Sequence, residues 1–373
     1  MSNKFSLIKA ESVFLYQHQI HGRLKRQERV ADIPIFVKTM LKYCLMACLL
    51  LFQTRSARAQ KLRILSLGNT SSLRGLCAVD DRVIWVCGSA GTVGISADAG
   101  VSWRWIAVAH YEKADFRDVE AFSDQEAVIM GVTDPSVILK TKDGGKSWLP
   151  VFQDSSKAMF LDAVDFSGDQ GILLGDPVDH KIFLAETKDR GDSWKIIENK
   201  DQRRAAPGEA FFAASGSNIK WMPNHHYALV SGGGKSTLYV DSSGYFPLLL
   251  AQGKETTGAN SIAMDPSDPN HAYITGGDFS NDRLDSGNAL SIRFHPFQQR
   301  RPGRAPHGYR SCVEYLDSHK MICCGTSGVD ISEDGGMNWT LISSKSFHVC
   351  RKAKSGKCIF LAGGHGIIAL LEW

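Results

Sequence analysis

Four short segments of the chain repeat one pattern: Ser or Thr, any residue, Asp, any residue, Gly, any residue, Ser or Asn, then Trp. They are Ser96-Ala-Asp98-Ala-Gly100-Val-Ser102-Trp103, Thr141-Lys-Asp143-Gly-Gly145-Lys-Ser147-Trp148, Thr187-Lys-Asp189-Arg-Gly191-Asp-Ser193-Trp194 and Ser332-Glu-Asp334-Gly-Gly336-Met-Asn338-Trp339. The first three aspartates are 45 and 46 residues apart, and Asp334 follows Asp189 by 145, close to three further periods. A period of that size among short β-type runs predicts propeller blades of four strands each, an all-β fold. In each motif the Asp carboxylate is expected to accept backbone N–H groups, the Gly to supply a positive φ, and the Trp to pack beneath the turn. Asp98, Trp103, Asp143, Trp148, Asp189, Trp194, Asp334 and Trp339 are therefore assigned to architecture. Calcium is disfavoured there, because each turn offers one carboxylate where the ion takes about six to eight oxygens.

Seven units follow from this frame. Their openings fall at Leu73-Arg74, Phe116-Arg117, Phe160-Leu161, Gly208-Glu209, Ala259-Asn260, Tyr309-Arg310 and Phe347-His348. Most lead into an apolar run ending in Gly, such as Val83-Ile-Trp-Val-Cys-Gly88 or Met321-Ile-Cys-Cys-Gly325. The last unit reaches Trp373 after about three strands. Lys61-Leu-Arg-Ile-Leu-Ser66 is expected to supply the missing outer strand and close the ring, which removes the open edges.

The motif resembles the Asp-box, or bacterial neuraminidase repeat. Openings such as Phe116-Arg-Asp-Val-Glu-Ala-Phe122 and Phe160-Leu-Asp-Ala-Val-Asp-Phe166 narrow the likeness. Over residues 60–373 the chain is similar to the photosystem II stability/assembly factor propellers, and more so to their secreted non-photosynthetic bacterial relatives, often labelled oxidoreductases or glycosyl hydrolases. The resemblance implies a seven-bladed propeller of the sialidase-like and WD40-like kind. It implies little about function, since the shared motif builds turns.

Charge is unevenly placed. Residues 1–59 hold ten Lys and Arg against three Asp and Glu, which leaves 33 against 36 over the remaining 314 residues. A body of slight negative charge argues against nucleic acid as a partner. The basic segment reads as a leader. Met40 to Phe52 is a short apolar run, and Ala57-Arg58-Ala59 offers small residues at −3 and −1, so residues 40–59 are expected to be a cleaved export signal with Gln60 as the mature N-terminus. A stable membrane span needs about 20 apolar residues, more than this run provides. A lipoprotein signal ending at Cys48 is the alternative, and residues 1–39 read as unstructured or as an over-extended start. A periplasmic or extracellular monomer, without membrane insertion after cleavage, is expected.

Seven cysteines remain beyond the signal, so they do not all pair within one chain. Cys312 and Cys350 occupy matching positions in adjacent units, where either a bridge between blades or two buried thiols fits. Cys/His spacing for zinc, a nucleophile elbow and a dinucleotide fingerprint are all lacking, and no cofactor or metal is expected. Gly232-Gly-Gly-Lys-Ser-Thr237 fails as a phosphate loop because Leu229 stands where the first glycine is required.

Aligned openings place one polar residue per innermost strand at a common rim: Arg74, Arg117, Leu161, Glu209, Asn260, Arg310 and His348. Arg310, His348, Arg74 and Arg117 come from consecutive units and form a cationic arc. Glu209 and Asn260 face it, with Asp118, Asp162, Glu120 and Glu314 nearby. Such an arc suits a carboxylate or other anion, since guanidinium groups match it bidentately. The alternative is internal pairing, Arg310 with Glu314 and Arg117 with Asp162. Three functions follow: a non-catalytic scaffold binding a protein, peptide or glycan with an anionic group, a glycoside hydrolase of sialidase type, or a redox enzyme or helper. A sialidase would need a Tyr nucleophile with a partner Glu and an acid Asp, which the sequence does not assign.

Overall fold

Residue pairs along the described chain sort into seven antiparallel sheets around a central channel, six of four strands and one, that of blade 5, of six. The computed structural model describes Met40 and residues 60–372, apart from 133, 157–158, 198–203 and 242. The expected signal over residues 40–59 and the expected start over 1–39 lie, Met40 aside, outside the described residues.

Blade 1 is built from Leu73–Ala78, Ile84–Gly88, Thr92–Ser96 and Arg104–Ala107. The innermost strands of the others are Phe116–Ala121, Leu161–Ser167, Ile219–Met222, Thr257–Met264, Cys312–Tyr315 and Val349–Lys352. Each packs against the next, and the last returns to Leu73–Ala78, so the ring is closed. Second strands such as Ile84–Gly88 and Met321–Gly325 are buried along their whole length, because both faces meet a neighbouring blade. That burial explains their unbroken apolar runs. Cores form between blades: Trp85 and Ile95 of blade 1 pack with Phe116, Ile129 and Leu139 of blade 2.

Lys61–Ser66 pairs with Ile368–Glu372, Lys61 opposite Glu372, and completes blade 7 as its outer strand. The first described strand thus lies beside the last.

One unit departs from the expected frame. Blade 4 begins at Ile219, not at Gly208-Glu209. Glu209–Ala210 pairs instead with Gly232–Gly233, which pairs in turn with Thr257–Met264 of blade 5. Residues 204–218 are an insertion between blades 3 and 4, and Gly232–Gly233 is a two-residue strand that precedes the strand Thr237–Val240.

The four motif turns share one geometry. Asp98 Oδ1 accepts the Ser102 N–H at 2.9 Å, Asp98 Oδ2 the Ser102 hydroxyl at 2.6 Å, and Ser96 Oγ accepts the Gly100 N–H at 2.9 Å. The same bonds recur at Asp143, Asp189 and Asp334. The glycine φ values are +80°, +78°, +81° and +84°. Bonds from Ser102 hold the Asp98 carboxyl down at about 2, and bonds from Ser147 do the same for Asp143. The tryptophans diverge. Trp339 is fully buried, its indole N–H reaching Gly336 O at 3.0 Å and the Tyr273 hydroxyl at 2.9 Å. Trp103, Trp148 and Trp194 are only partly buried. Trp148→Ala is accordingly expected to cost about 1–2 kcal/mol, in the ordinary range for a point substitution. Urea unfolding of both proteins checks this, and a cost near 4 kcal/mol would place the ring in the core.

Candidate functional site: the channel mouth

The innermost strands carry a common bulge. Leu73 opposes Gly88 and Gly75 opposes Cys87, which leaves Arg74 unpaired between them. Arg117, Asp162 and Asn260 are left in the same way in blades 2, 3 and 5. A bulge re-aims its extra residue. Counting back equally from the strand pairs of blades 4, 6 and 7 gives Ser217, Ser311 and His348 as the matching residues. The structural rim is therefore Arg74, Arg117, Asp162, Ser217, Asn260, Ser311 and His348.

Two expected rim residues are thereby corrected by one position and a third is displaced. Leu161 is buried core, and Asp162 holds its place. Arg310 falls where the other blades carry Leu73, Phe116, Leu161, Ala259 and Phe347, and like them it is fully buried. It turns into blade 6 and pairs with Asp330, not Glu314. Glu209 sits in the insertion, where its carboxylate accepts the Ala206 N–H at 2.7 Å and the Ser231 hydroxyl. The arc contracts to His348, Arg74 and Arg117, from blades 7, 1 and 2, with the two arginines carrying its charge.

These three line a cavity of 460 Å3 together with Asn260, Tyr309, Ser311 and Thr326, and with an aromatic wall of Phe160, Phe211, Phe212 and Phe279. Phe212 and Phe279 meet edge to face at 5.9 Å, as do Phe279 and Tyr309 at 6.2 Å. Arg117 is held by Asp115, not Asp162, through Nε and Nη2 at 2.7 Å, and its Nη1 donates to Ala213 O at 3.0 Å. Arg74 makes no hydrogen bond and no ion pair among the described residues, and burial followed by the charge of Arg117 lowers its pKa. Asp115 offsets part of that charge from a distance, no carboxylate touches it, and the side chain lines the cavity. Burial, then Arg74 and Arg117, push the pKa of His348 down to about 3, so its ring is neutral at physiological pH. The Tyr309 hydroxyl donates to Asn260 Oδ1 at 2.7 Å.

Beneath the cavity, residues 211–217 of the insertion cross the channel as a plug. Ser215 Oγ donates to Ser311 O at 2.7 Å, and Arg351 Nη2 donates to Ser215 O at 2.7 Å. Gly216 has φ +61°, and a Cβ there would lie 2.1 Å from the Asp118 carboxylate, so glycine is required where the plug passes that side chain. Asp162 is fully buried. Burial raises its carboxyl well above the usual range, Asp176 adds to the rise, and Arg117 opposes it.

Asp118 and Glu314 do not join the cationic arc. They line a second cavity of 400 Å3 on the far side of the plug, with Glu120, Asp165, Lys220, Arg351 and Lys354. Lys220 pairs with Asp165 at 2.6 Å and Lys354 with Glu120. Glu314 has no hydrogen bond or ion pair among the described residues. Burial lifts its carboxyl to about 7 against Arg351 and Lys220, and lifts Asp118 to about 8 against Arg351. All seven described cysteines are free thiols, Cys312 and Cys350 included.

No protein-family model matches the chain, and no curated protein matches it. Solved structures do. YCF48 bound to D1 peptide aligns with a TM-score of 0.60 at 16% identity, over 84% of this chain and 95% of that one. YCF48 from Cyanidioschyzon merolae aligns at 0.61 and 18%, over 84% and 99%. The WD40 β-propeller domain of Doa1 aligns at 0.59 and 13%, over 84% and 97%. At these identities the likeness is one of fold.

Proposed function

We propose that this seven-bladed propeller is a non-catalytic scaffold that binds a peptide or protein segment through an anionic group at the channel mouth. One observation carries the reading: the Arg74 guanidinium is largely withdrawn from water, has no direct ion pair among the described residues, and lines a cavity of 460 Å3. A buried charge without a partner is costly, and a ligand carboxylate would supply one bidentately. Arg117, already shared with Asp115, adds field, while Phe211, Phe212 and Phe279 offer an apolar wall to a neighbouring side chain. The solved complex of YCF48 with D1 peptide supports a peptide as the ligand class without identifying it here.

A sialidase-type hydrolase is less well supported. Tyr309 reaches the cavity, but its hydroxyl donates to the Asn260 amide, whereas a tyrosine nucleophile needs a carboxylate beside it. Glu209 is committed to Ser231 and the Ala206 N–H. The leader expected at residues 40–59 leads us to propose that the scaffold works outside the cytoplasm, either released after Ala59 or held at Cys48. Intact mass of the native protein beginning at Gln60 is the expected result, and a lipid on Cys48 would replace it.

The test compares peptides ending in a free carboxylate with their amidated counterparts, selected on the wild type from a random library. Arg74→Gln is expected to weaken binding by about 1.5–3 kcal/mol, the worth of hydrogen bonds to a charged group, with the melting temperature nearly unchanged. Because His348 is neutral throughout, affinity is expected to show no histidine titration between about pH 5 and 8. Equal binding by wild type and Arg74→Gln would remove the anionic anchor from the reading.

A further inference from the structure

We propose that Cys312 is a site of oxidative modification: its sulfur, held against the Arg351 guanidinium beside the channel plug, reacts with a hydroperoxide and closes a disulfide with a neighbouring thiol, Cys350 or Cys324.

Three fully buried thiols meet where blades 6 and 7 join. Cys312 and Cys324 stand directly opposite each other on adjacent strands, and Cys350 comes from the first strand of the next blade. Cys312 Sγ lies 3.3 Å from Cys350 O, and Arg351 Nη1 approaches the same sulfur to 2.9 Å. Cys323 also has a guanidinium beside it, that of Arg310, but there burial wins and the thiol is pushed well above its ordinary value. Burial alone would raise the Cys312 thiol, but hydrogen bonds with Cys324 and Cys350 and the charge of Arg351 outweigh it and hold the thiol well below its ordinary value. Burial pushes Cys324 and Cys350 the other way. A sulfur whose ionised form is favoured, beside two whose thiol forms are favoured, is the division of roles that peroxide-driven disulfide formation requires.

The chemistry balances. The Cys312 thiolate attacks one peroxide oxygen, the O–O bond breaks, and with one proton the products are a sulfenic acid and water. The neighbouring thiol then attacks that sulfur, the S–O bond breaks, and a second water leaves as the disulfide forms. Two electrons pass from the two sulfurs to the hydroperoxide. Arg351, which touches the sulfur, lines the cavity of 400 Å3 on the far side of the plug; Cys312 itself does not line it, so a small peroxide must pass that side chain to react.

Modification would also reach the plug. Arg351 spans from the sulfur to Ser215 O at 2.7 Å, so loss of the thiolate removes the anion that orients this guanidinium. The backbone of residues 215–218 is then less firmly held.

Cys358 supplies an internal control. It is the one described cysteine that is not fully enclosed, and burial together with Asp81 raises its pKa. If access governed reactivity, Cys358 would react first. The experiment treats the reduced, whole protein with hydrogen peroxide at neutral pH and maps each thiol by differential alkylation and peptide mass spectrometry. A disulfide from Cys312 to Cys350 or Cys324 is expected to form at least about tenfold faster than oxidation of Cys358. Arg351→Met is expected to abolish that lead, and if the variant does not fold the competition in the wild type decides alone. Oxidation of Cys358 with Cys312 still reduced would overturn the proposal. Amide hydrogen exchange at residues 215–218 is expected to speed up after oxidation, and unchanged exchange would refute the link to the plug.

Discussion

Arg310→Leu alone is expected to destabilise the fold by about 3–5 kcal/mol, although leucine is what blades 1 and 3 carry at the same place. In this structure Arg310 and Asp330 are both fully buried. Arg310 Nε donates to Asp330 Oδ2 at 2.9 Å, its Nη1 donates to Tyr309 O at 2.8 Å and Ser327 Oγ at 2.7 Å, and the other oxygen of Asp330 lies 2.6 Å from His307 Nδ1. Removing the guanidinium leaves a buried carboxylate with His307 as its main remaining partner. Removing both charges is a different experiment. At the position of Asp330 the other blades hold residues such as Leu139, Ala185 and Leu290, so Arg310→Leu with Asp330→Leu restores the apolar layer. The double variant is expected to lie within about 1 kcal/mol of the wild type or above it, as when well-packed hydrophobic residues replace buried ion pairs. Urea unfolding of the two single variants and the double gives the coupling energy directly. A single variant within about 1 kcal/mol of the wild type would mean that water reaches Asp330.

The second large effect is in pH. Asp118 at about 8 and Glu314 at about 7 both bind their protons more tightly in the folded chain than in the unfolded one. For a carboxyl raised in this way, stability is fully present below the unfolded value of about 4 and is lost as pH rises through the folded value. The fold is therefore expected to weaken between about pH 5 and 8, by something on the order of 3 kcal/mol for each group. The turn aspartates act in the other window: Asp98 and Asp143, held at about 2, withdraw support only as pH falls below about 4. Glu314→Gln is the cleaner variant because Glu314 has no hydrogen bond to lose. Its unfolding free energy is expected to vary less over pH 5 to 8, with a gain over the wild type at pH 8. Parallel pH profiles for the two proteins would rule out a raised Glu314.

What the chain discloses before folding is its period. Seven blades, the closing strand at Lys61–Ser66 and the Asp-centred turns all follow from local patterns repeated at fixed spacing, and each rests on backbone rules that hold within one turn or one strand. The rim needed accuracy to one residue, and there a bulge intervenes. It adds a residue that leaves no mark in composition, so Leu161 was counted where Asp162 stands. Blade 6 misled for a second reason: Arg310, the charged residue, drew the assignment from Ser311, which lines the cavity. Arg74, Arg117, Asn260 and His348 were legible because an aligned polar residue follows an apolar anchor in each. The plug was not, because residues 204–218 have no period and Gly208-Glu209 imitates a blade opening. Its Phe211 and Phe212, and the buried Arg351 that grips it, are visible only once the strands of distant blades are brought together.

The pairing of Lys61–Ser66 with Ile368–Glu372 also sets an order of events. Lys61–Ser66, the first described strand to be made, pairs among the described residues only with the last, and some 300 residues must be threaded into place between them. Until then blade 7 shows a bare edge to its surroundings, the state in which sheet proteins are most prone to stick to one another. Closure of the ring therefore rests on a contact between the two described strands farthest apart in the sequence, the kind of long-range pairing that folds slowly.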